Sequence, residues 1–315
     1  MMAFESYNAA GVWGASLLGA VLALAMGALS ARKKQISLRT CAVFSGLSVL
    51  FTLFFAHLFQ CLMRLDYVLN EQSFLHLFTF WEGGFMLYGG LFGALLAAFA
   101  AGKLTGVCPL KVMDAYAPAG AVMIAFARLA EAFSGQGYGD YLWEEGFFTR
   151  FPFATFNPDW EAWAWSISMP EILWALIVLV ILLSLRKNAK PGDKTLVLVG
   201  LYAAMQVVFE SLRRDEFLRW GFVRCSELLS AVALFIVLLC YQLRSGRVWK
   251  KRHIVCWIGY VVLVVSCILL EFATEERIPF LTFLSPEACY VCMTGCCALL
   301  CGCVMVMRST EPVKS

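Results

Sequence analysis

The sequence contains little charge for its length. Only 15% of its 315 residues are charged, and 61% are hydrophobic, whereas charged residues make up about 25% of an average soluble protein. A soluble domain of this size cannot bury so many apolar side chains. The composition therefore excludes a soluble globular protein and predicts a chain that crosses a membrane several times.

Several common functional motifs are absent as well. The sequence contains no P-loop, no HExxH zinc-protease motif and no glycine-rich dinucleotide fingerprint. Its basic residues lie in short loops, where membrane orientation accounts for them better than nucleic-acid binding does. We therefore expect no cofactor and no nucleic-acid partner. Six of the thirteen cysteines crowd the last apolar segment, but that segment holds no histidine or carboxylate, and we expect no metal.

Nine stretches of the sequence are long and apolar enough to cross a membrane. Five of them are almost free of charge: 9–31, 40–63, 84–102, 253–271 and 288–307. Four reach the required length only with polar residues near one end: 111–133, 170–186, 195–212 and 226–244. The pattern predicts an all-α polytopic integral membrane protein with about nine transmembrane helices.

The basic residues predict how these helices are oriented. Seventeen lysines and arginines fall in loops on one side and seven on the other. Because basic loops stay in the cytoplasm, we expect an outside N-terminus and a cytoplasmic C-terminus. The first segment has no basic residues before it and no small-residue cleavage site after it, which favours a retained helix over a signal peptide.

Charged residues also lie inside the apolar segments, where each costs about 2.5–3.5 kcal/mol on insertion scales. They include Arg128, Glu131 and Glu210, and Arg213 directly follows the segment that carries Glu210. At a rise of about 1.5 Å per residue, these groups fall at one depth in the outer leaflet, together with His57, Gln60, Tyr88, Gln206 and Glu227. The layer predicts a polar cavity that opens towards the outer leaflet or the outside. Structural ion pairs between helices are the alternative.

The spacing within two segments supports a functional interpretation. One face of the sixth segment carries Tyr202, Gln206, Glu210 and Arg213. In the fourth segment, Arg128 and Glu131 are one turn apart. A guanidinium group at this depth can bind a lipid phosphate through two hydrogen bonds, and Glu210 can orient that arginine or accept a proton.

The third apolar segment begins with a glycine-rich stretch, WEGGFMLYGGLFG, from Trp81 to Gly93. Paired glycines permit close approach of backbones, so Gly89 and Gly90 form a thin patch beside Tyr88. Either another helix or a lipid can approach such a patch.

Six sequence blocks follow the order and spacing of those in the bacterial prolipoprotein diacylglyceryl transferases. They are WEGGFMLYGGLFG, DAYAPAG, ARLAEAFSGQGYG, MPEILW, YAAMQVVFESLRRD and VRCSELLS. The sequence resembles this family over residues 40–245 approximately. The resemblance implies a seven-helix membrane domain over residues 1–245, followed by two additional helices over residues 246–315.

The resemblance also implies a reaction. An enzyme of this kind, in the bacterial plasma membrane, moves the diacylglyceryl group of phosphatidylglycerol onto the thiol of a lipobox cysteine in a secreted prolipoprotein precursor. The implied catalytic residues are Tyr88, Arg128, Tyr202 and Glu210. The residues implied to bind substrate are His57, Gly89, Gly90, Glu131, Gln136, Gly139, Gln206 and Arg213.

The sequence departs from the family pattern at five positions. Tyr88 stands where the family's glycine-rich block often has histidine, although some members have tyrosine there. Gln206 stands where the family usually has arginine, and Glu131 stands where it has asparagine. Gln136 replaces a family glutamate, and Glu227 replaces a glutamine. The loss of an arginine removes positive charge from a site that stabilises a phosphate anion. An alternative function is therefore that of a catalytically degenerate paralogue, acting as a lipid or peptide binder or a transporter.

The longest outside loop, residues 140–168, is rich in aromatic side chains. Trp and Tyr prefer the level of the lipid headgroups, so the loop fits an interfacial anchor. In the resembled family this side receives the protein substrate. Both interpretations are open.

Overall fold

The computed structural model describes residues 9–71, 73–79, 84–144, 146–157, 161–185, 190–214, 219–220, 223–246, 249–274 and 284–309. Ten α-helices lie in these ranges: α1 (Ala9–Lys33), α2 (Leu38–Met63), α3 (Leu65–Glu71), α4 (Leu87–Thr105), α5 (Pro109–Phe133), α6 (Ser168–Ser184), α7 (Asp193–Leu212), α8 (Cys225–Arg244), α9 (Lys251–Thr274) and α10 (Pro286–Ser309). A 3₁₀ helix (Phe74–Phe78) lies between α3 and α4.

The helices coincide with the nine predicted segments. In the described part of the chain, eight helices are long and apolar enough to span a membrane. The ninth, α6, has 17 residues, which is the lower limit for a span of about 30 Å of hydrocarbon. The predicted class, an all-α polytopic membrane protein, is confirmed, and the predicted count of about nine corresponds to these eight helices and α6.

Small residues set how closely the helices pack. The buried face of α1 carries Ala15, Gly19, Ala23, Gly27 and Ala31, one residue per turn. This face packs on α5, where a Cβ added at Gly19 would lie 2.3 Å from the Cβ of Phe126. Without a hydrophobic driving force between helices in lipid, such close backbone contact stabilises their association.

The glycine-rich patch of α4 is covered by α2. A Cβ at Gly89 would lie 2.2 Å from the carbonyl oxygen of Phe55, and a Cβ at Gly93 would lie 2.2 Å from that of Phe51. At Gly90 the nearest atom is the Cγ2 of Thr52, at 3.3 Å. Of the two interpretations of this patch, the contacts favour helix packing, and a role for Gly89 and Gly90 in substrate binding stays a prediction.

A polar network joins α5 to the start of α7. The carboxylate of Asp114 accepts hydrogen bonds from the Gly192 and Thr195 amides at 2.8 and 3.0 Å, so it caps the N-terminus of α7 from a neighbouring helix. The ammonium group of Lys34 lies 3.6 Å from the same carboxylate. Burial lowers the pKa of Lys34, and the charge of Asp114 opposes this shift.

The loop after α5 contains strands that the sequence did not predict. Strands β1 (Tyr138–Leu142), β2 (Ala154–Asn157) and β3 (Ala162–Ser166) form an antiparallel sheet in the order β1-β3-β2. A second pair, β4 (Arg219–Trp220) and β5 (Val223–Arg224), precedes α8. The Arg214 amide donates to the carbonyl oxygen of Tyr138 at 2.9 Å. The three-stranded sheet is thereby attached to the end of α7.

The two C-terminal helices are packed on this core. Helix α10 lies against α7, where a Cβ at Gly200 would be 3.0 Å from the Cγ1 of Val304. At one end of the same contact, Arg308 donates to the carboxylate of Asp193 at 2.9 Å. Helix α10 therefore covers a face of α7 with both apolar and ionic contacts.

Candidate active site

Two arginines and two glutamates meet where the ends of α5 and α7 approach the start of α6. Arg128 and Glu131 come from α5, Glu171 lies in the first turn of α6, and Arg213 directly follows α7. We call these four residues the ion-pair cluster. Charges in such a site must be paired, because burying a lone charge costs several kcal/mol.

Arg128 is held on three sides. Its Nη1 donates to Glu131 Oε2 at 2.7 Å, and its Nη2 donates to the Tyr202 hydroxyl at 3.0 Å. Its Nε forms an ion pair with Glu171 Oε2. The guanidinium plane is thus fixed by two carboxylates and a phenol, which is the preorganisation that a fixed electrostatic site requires.

Arg213 faces the same two carboxylates from the opposite side. Its Nη1 and Nη2 donate to the two oxygens of Glu131, each at 2.8 Å, in a bidentate pair. Its Nη2 also donates to Glu171 Oε1 at 2.9 Å. Glu131 and Glu171 therefore each bridge both arginines, and the formal charge of the cluster is zero.

The four members of the cluster differ in their access to solvent. The side chain of Glu171 is 0% exposed and that of Arg213 is 2% exposed, whereas that of Glu131 is 16% exposed. Glu131 is the outermost of the four groups. An anion that reaches the arginines from outside the bundle would first meet this carboxylate.

A second polar group lies beside the cluster on α7. Gln206 Nε2 donates to Glu210 Oε1 at 2.7 Å, and Arg224 Nη1 lies 4.0 Å from Glu210 Oε2. The amide oxygen of Gln206 is buried and has no hydrogen-bond partner among the described residues. Ser211 donates to Glu227 at 3.3 Å. In the described residues, Glu210 therefore accepts from a neutral amide and lies 4.0 Å from an arginine, whereas Glu131 accepts hydrogen bonds directly from two arginines.

Tyr88 connects α4 to this region. Its hydroxyl shares a 2.5 Å hydrogen bond with Ser230 of α8, and it interacts electrostatically with Glu210 and Arg128. Gly137 approaches from the start of the sheet, where a Cβ would be 2.6 Å from Ser168 Oγ and 3.4 Å from Arg213 Nη2. A side chain at residue 137 would intrude on the cluster.

The predicted site residues fall into separate places. The structure brings together Arg128, Glu131, Tyr202 and Arg213, with Gln206, Glu210 and Tyr88 next to them. Gly139 is buried in β1, where a Cβ would be 2.9 Å from Ile167 Cδ1, and Gln136 is exposed in the turn before β1. His57 lies elsewhere, near the C-terminal end of α2, and Gly89 and Gly90 pack on α2. The roles of these residues stay predictions.

Three residues of the site were missed in the sequence. Glu171, Arg224 and Ser230 all lie inside quoted sequence blocks, Glu171 in MPEILW and the other two in VRCSELLS. An acidic residue in the first turn of a helix is common, because it complements the helix dipole, so Glu171 gave no separate signal. The available signal was a carboxylate at the same predicted depth as Arg128 and Arg213.

The aromatic loop is partly folded and largely exposed. The side chains of Trp143 and Phe147 are 81% and 62% exposed, while Phe148 contacts Trp165 with ring centroids 5.8 Å apart. Of the predicted aromatic residues, Trp160 lies outside the described residues. An exposed aromatic surface suits either interpretation of this loop, so anchoring and substrate reception both remain predictions.

Fold and site together define a multi-pass membrane protein with paired arginines and carboxylates buried where α5, α6 and α7 meet. The sequence model of the prolipoprotein diacylglyceryl transferase family matches residues 12–243 of the chain. The chain belongs to this family, so the family indicated by the six sequence blocks is confirmed.

Individual relatives show moderate identity. The phosphatidylglycerol–prolipoprotein diacylglyceryl transferase of Clostridium kluyveri is 27% identical over 188 residues, which are 56% of this chain and 70% of that protein. The corresponding protein 1 of Clostridium perfringens is 25% identical over 248 residues, or 75% of this chain and 90% of its own length. The phosphatidylglycerol–prolipoprotein diacylglyceryl transferase of Tropheryma whipplei is 32% identical over 127 residues, which are 38% of this chain and 44% of that protein.

Proposed function

We propose that this protein transfers the diacylglyceryl group of phosphatidylglycerol to the thiol of a lipobox cysteine in a secreted prolipoprotein precursor. One observation carries the proposal: two buried arginines, Arg128 and Arg213, are aimed at the same anionic group. Paired guanidinium groups match the geometry of a phosphate. Membership of the transferase family gives the reaction class.

The phosphate is expected to take the place that the Glu131 carboxylate now occupies. That carboxylate accepts three hydrogen bonds of 2.7–2.8 Å from the two arginines. A phosphodiester offers the same kind of anionic oxygens. Because Glu131 is the outermost member of the cluster, it can turn away, while the buried Glu171 keeps both arginines in position.

The reaction then needs no nucleophile from the enzyme. The thiolate sulfur of the substrate attacks the glyceryl carbon, the carbon–oxygen bond to phosphate breaks, and glycerol phosphate leaves with the electron pair. The arginines stabilise the negative charge that grows on the leaving group. The thiol proton must pass to a base, and we assign this role to Glu210, because its carboxylate lies beside the cluster and accepts a hydrogen bond from the neutral Gln206 amide at 2.7 Å.

The proposed reaction implies an orientation of the protein in the membrane. We place the protein in the bacterial plasma membrane, with its N-terminus outside, its C-terminus in the cytoplasm, and the ion-pair cluster towards the outer face. Secreted precursors reach the site from that side, and phosphatidylglycerol reaches it through the bilayer. We also retain residues 1–245 as the transferase domain and residues 246–315 as an addition to it.

Cysteine labelling tests this orientation. In a cysteine-free variant, Thr155→Cys should react with an impermeant thiol reagent on intact cells, because Thr155 lies in β2 of the outside sheet. A cysteine introduced at Lys250 should react only after the cells are opened. The reverse labelling pattern would overturn the orientation.

Transfer itself is tested with purified protein, phosphatidylglycerol and a lipobox peptide, and by rescue of a bacterium depleted of its own diacylglyceryl transferase. The unaltered protein should transfer slowly. Gln206→Arg should raise the rate by about 10-fold, less than the 10²–10³ lost with a preorganised donor, because it adds positive charge beside Glu210. If neither protein transfers, the proposed reaction is wrong.

A second function is that of a lipid or peptide binder without transfer. The observation that favours it is that Glu131 uses the arginine hydrogen bonds that a phosphate would need. In that case the unaltered protein binds phosphatidylglycerol without transferring, and Gln206→Arg, alone or with Glu131→Asn, creates activity.

A further inference from the structure

Three side chains with metal-binding atoms meet at the C-terminal end of α2, outside the ion-pair cluster. His57 and Cys61 lie one turn apart on α2, and His76 comes from the 3₁₀ helix that follows α3. One ligand atom from each residue lies within 4.8 Å of the other two. Spacing of four residues places His57 and Cys61 on the same helical face, so the folded chain presents three ligands to one point.

The distance between two of these ligands fits a bound Zn²⁺. His57 Nε2 lies 3.4 Å from Cys61 Sγ. Zinc binds histidine nitrogen at about 2.0–2.1 Å and cysteine sulfur at about 2.3 Å, and a tetrahedral angle between them separates the two ligands by about 3.5 Å. No rearrangement of α2 is needed to bind one ion through both side chains.

Hydrogen bonds around the two imidazoles suit the same arrangement. The Thr79 hydroxyl donates to the His76 carbonyl oxygen at 3.0 Å, so it accepts from His76 Nδ1 at 3.1 Å. His57 Nδ1 faces the Gly84 carbonyl oxygen at 3.3 Å. Histidine ligands usually donate their outer ring N–H to such an acceptor, which directs the Nε2 lone pair to the metal.

The same geometry has a metal-free form. His57 Nε2 lies 2.8 Å from the His76 carbonyl oxygen, and in that form it donates a proton there. Binding of a metal requires this proton to move to Nδ1, opposite Gly84, and the Cys61 thiol to release its proton to water. His57 and Cys61 are 1% and 3% exposed, so water is largely excluded from these two ligands.

We propose that His57, Cys61 and His76 bind Zn²⁺. Two imidazoles and a thiolate form a nitrogen and sulfur set that suits this ion. The bound ion holds the 3₁₀ helix against the end of α2, in the connection that leads to α4 and Tyr88. The sequence predicted no metal, so this site is a new assignment. It does not rest on the proposed transfer reaction, but it gives His57 a structural role in place of the implied role in substrate binding.

The test uses the full-length protein in detergent, stripped of metal with a chelator and titrated with Co²⁺ as a spectroscopic substitute for zinc. We expect one equivalent of Co²⁺ to bind, with a thiolate-to-cobalt charge-transfer band that Zn²⁺ then removes. Cys61→Ser should abolish the band. His76→Gln should weaken binding by more than about 100-fold, because loss of a direct ligand costs more than loss of an outer-shell partner, which costs about 10–100-fold. It changes a partly exposed side chain outside α2.

Cys297→Ser provides the matched control, because Cys297 is a buried cysteine in the cysteine-rich α10. The band should be unchanged in this variant. A band that survives Cys61→Ser, or one that disappears with Cys297→Ser, would assign the binding to other cysteines and overturn the proposal. Absence of Co²⁺ and Zn²⁺ binding to the unaltered protein would overturn it as well.

Discussion

Arg128→Lys is expected to reduce diacylglyceryl transfer by about 10²–10³-fold, the usual cost of losing one preorganised donor to a developing anion. Lysine keeps the positive charge, so Glu131 and Glu171 stay paired and the protein stays folded. It cannot reproduce the planar set of donors that contacts Glu131, Glu171 and Tyr202. Transfer rates with saturating lipid, together with the melting temperature, measure the effect.

Arg214→Lys is the control for this change. Arg214 is the next residue after Arg213, but its side chain is exposed and pairs with the exposed Asp140 at 2.6 Å. We expect normal transfer from this variant. If Arg128→Lys instead loses activity only in proportion to a loss of folded protein, Arg128 is a structural residue and the phosphate site lies elsewhere.

Glu171→Gln is expected to destabilise the protein by about 3–5 kcal/mol, the typical cost of removing one partner from a buried ion pair. Glu171 is 0% exposed and bridges Arg128 and Arg213, so its loss leaves an uncompensated positive charge inside the bundle. Glu287→Gln alters an exposed glutamate that also lies in the first turn of a helix, and it should change stability by less than about 0.5 kcal/mol.

The double variant Glu171→Gln, Arg213→Gln separates charge from packing. It restores the charge balance of the cluster, so its stability loss should be smaller than the sum of the two single losses. Thermal unfolding in one detergent measures all four variants. Additive losses would contradict the view that the two side chains stabilise each other directly.

The helices of this protein could be predicted because lipid imposes a simple rule on composition. Each span needs about 20 apolar residues, and the observed helices follow the predicted segments closely. The depth argument also grouped Arg128, Glu131 and Arg213, because helical rise converts sequence position into height, and the structure brings these three side chains together. The leaflet in which they lie stays a prediction. The predicted depth of a side chain does not tell which group it contacts. It placed Gln206 and Glu210 in the same layer as the arginines, but these two side chains form a hydrogen bond with each other.

The remaining features depend on contacts between distant segments. Glu171 is central because α5 and α7 both deliver arginines to it, and nothing in its own segment indicates this. Gly89 packs on α2 because backbone atoms of Phe55 fit against it. The strands after α5 are short and rich in aromatic residues. Because such a composition also suits an interfacial membrane anchor, composition alone did not distinguish a β-sheet from an anchor.

The position of the ion-pair cluster affects how the chain enters the membrane during synthesis. Arg128 and Glu131 emerge from the ribosome on one helix and can neutralise each other at once, because their side chains are 2.7 Å apart. Glu171 arrives later on α6, and its arginine partners belong to α5 and to the residue after α7. Until these partners are in place, Glu171 is an unpaired carboxylate in the first turn of α6, where a charge costs less than the about 2.5–3.5 kcal/mol that it costs at the centre of an inserting helix. Contact with Arg128 reduces this cost, so we expect α5 and α6 to leave the insertion machinery together.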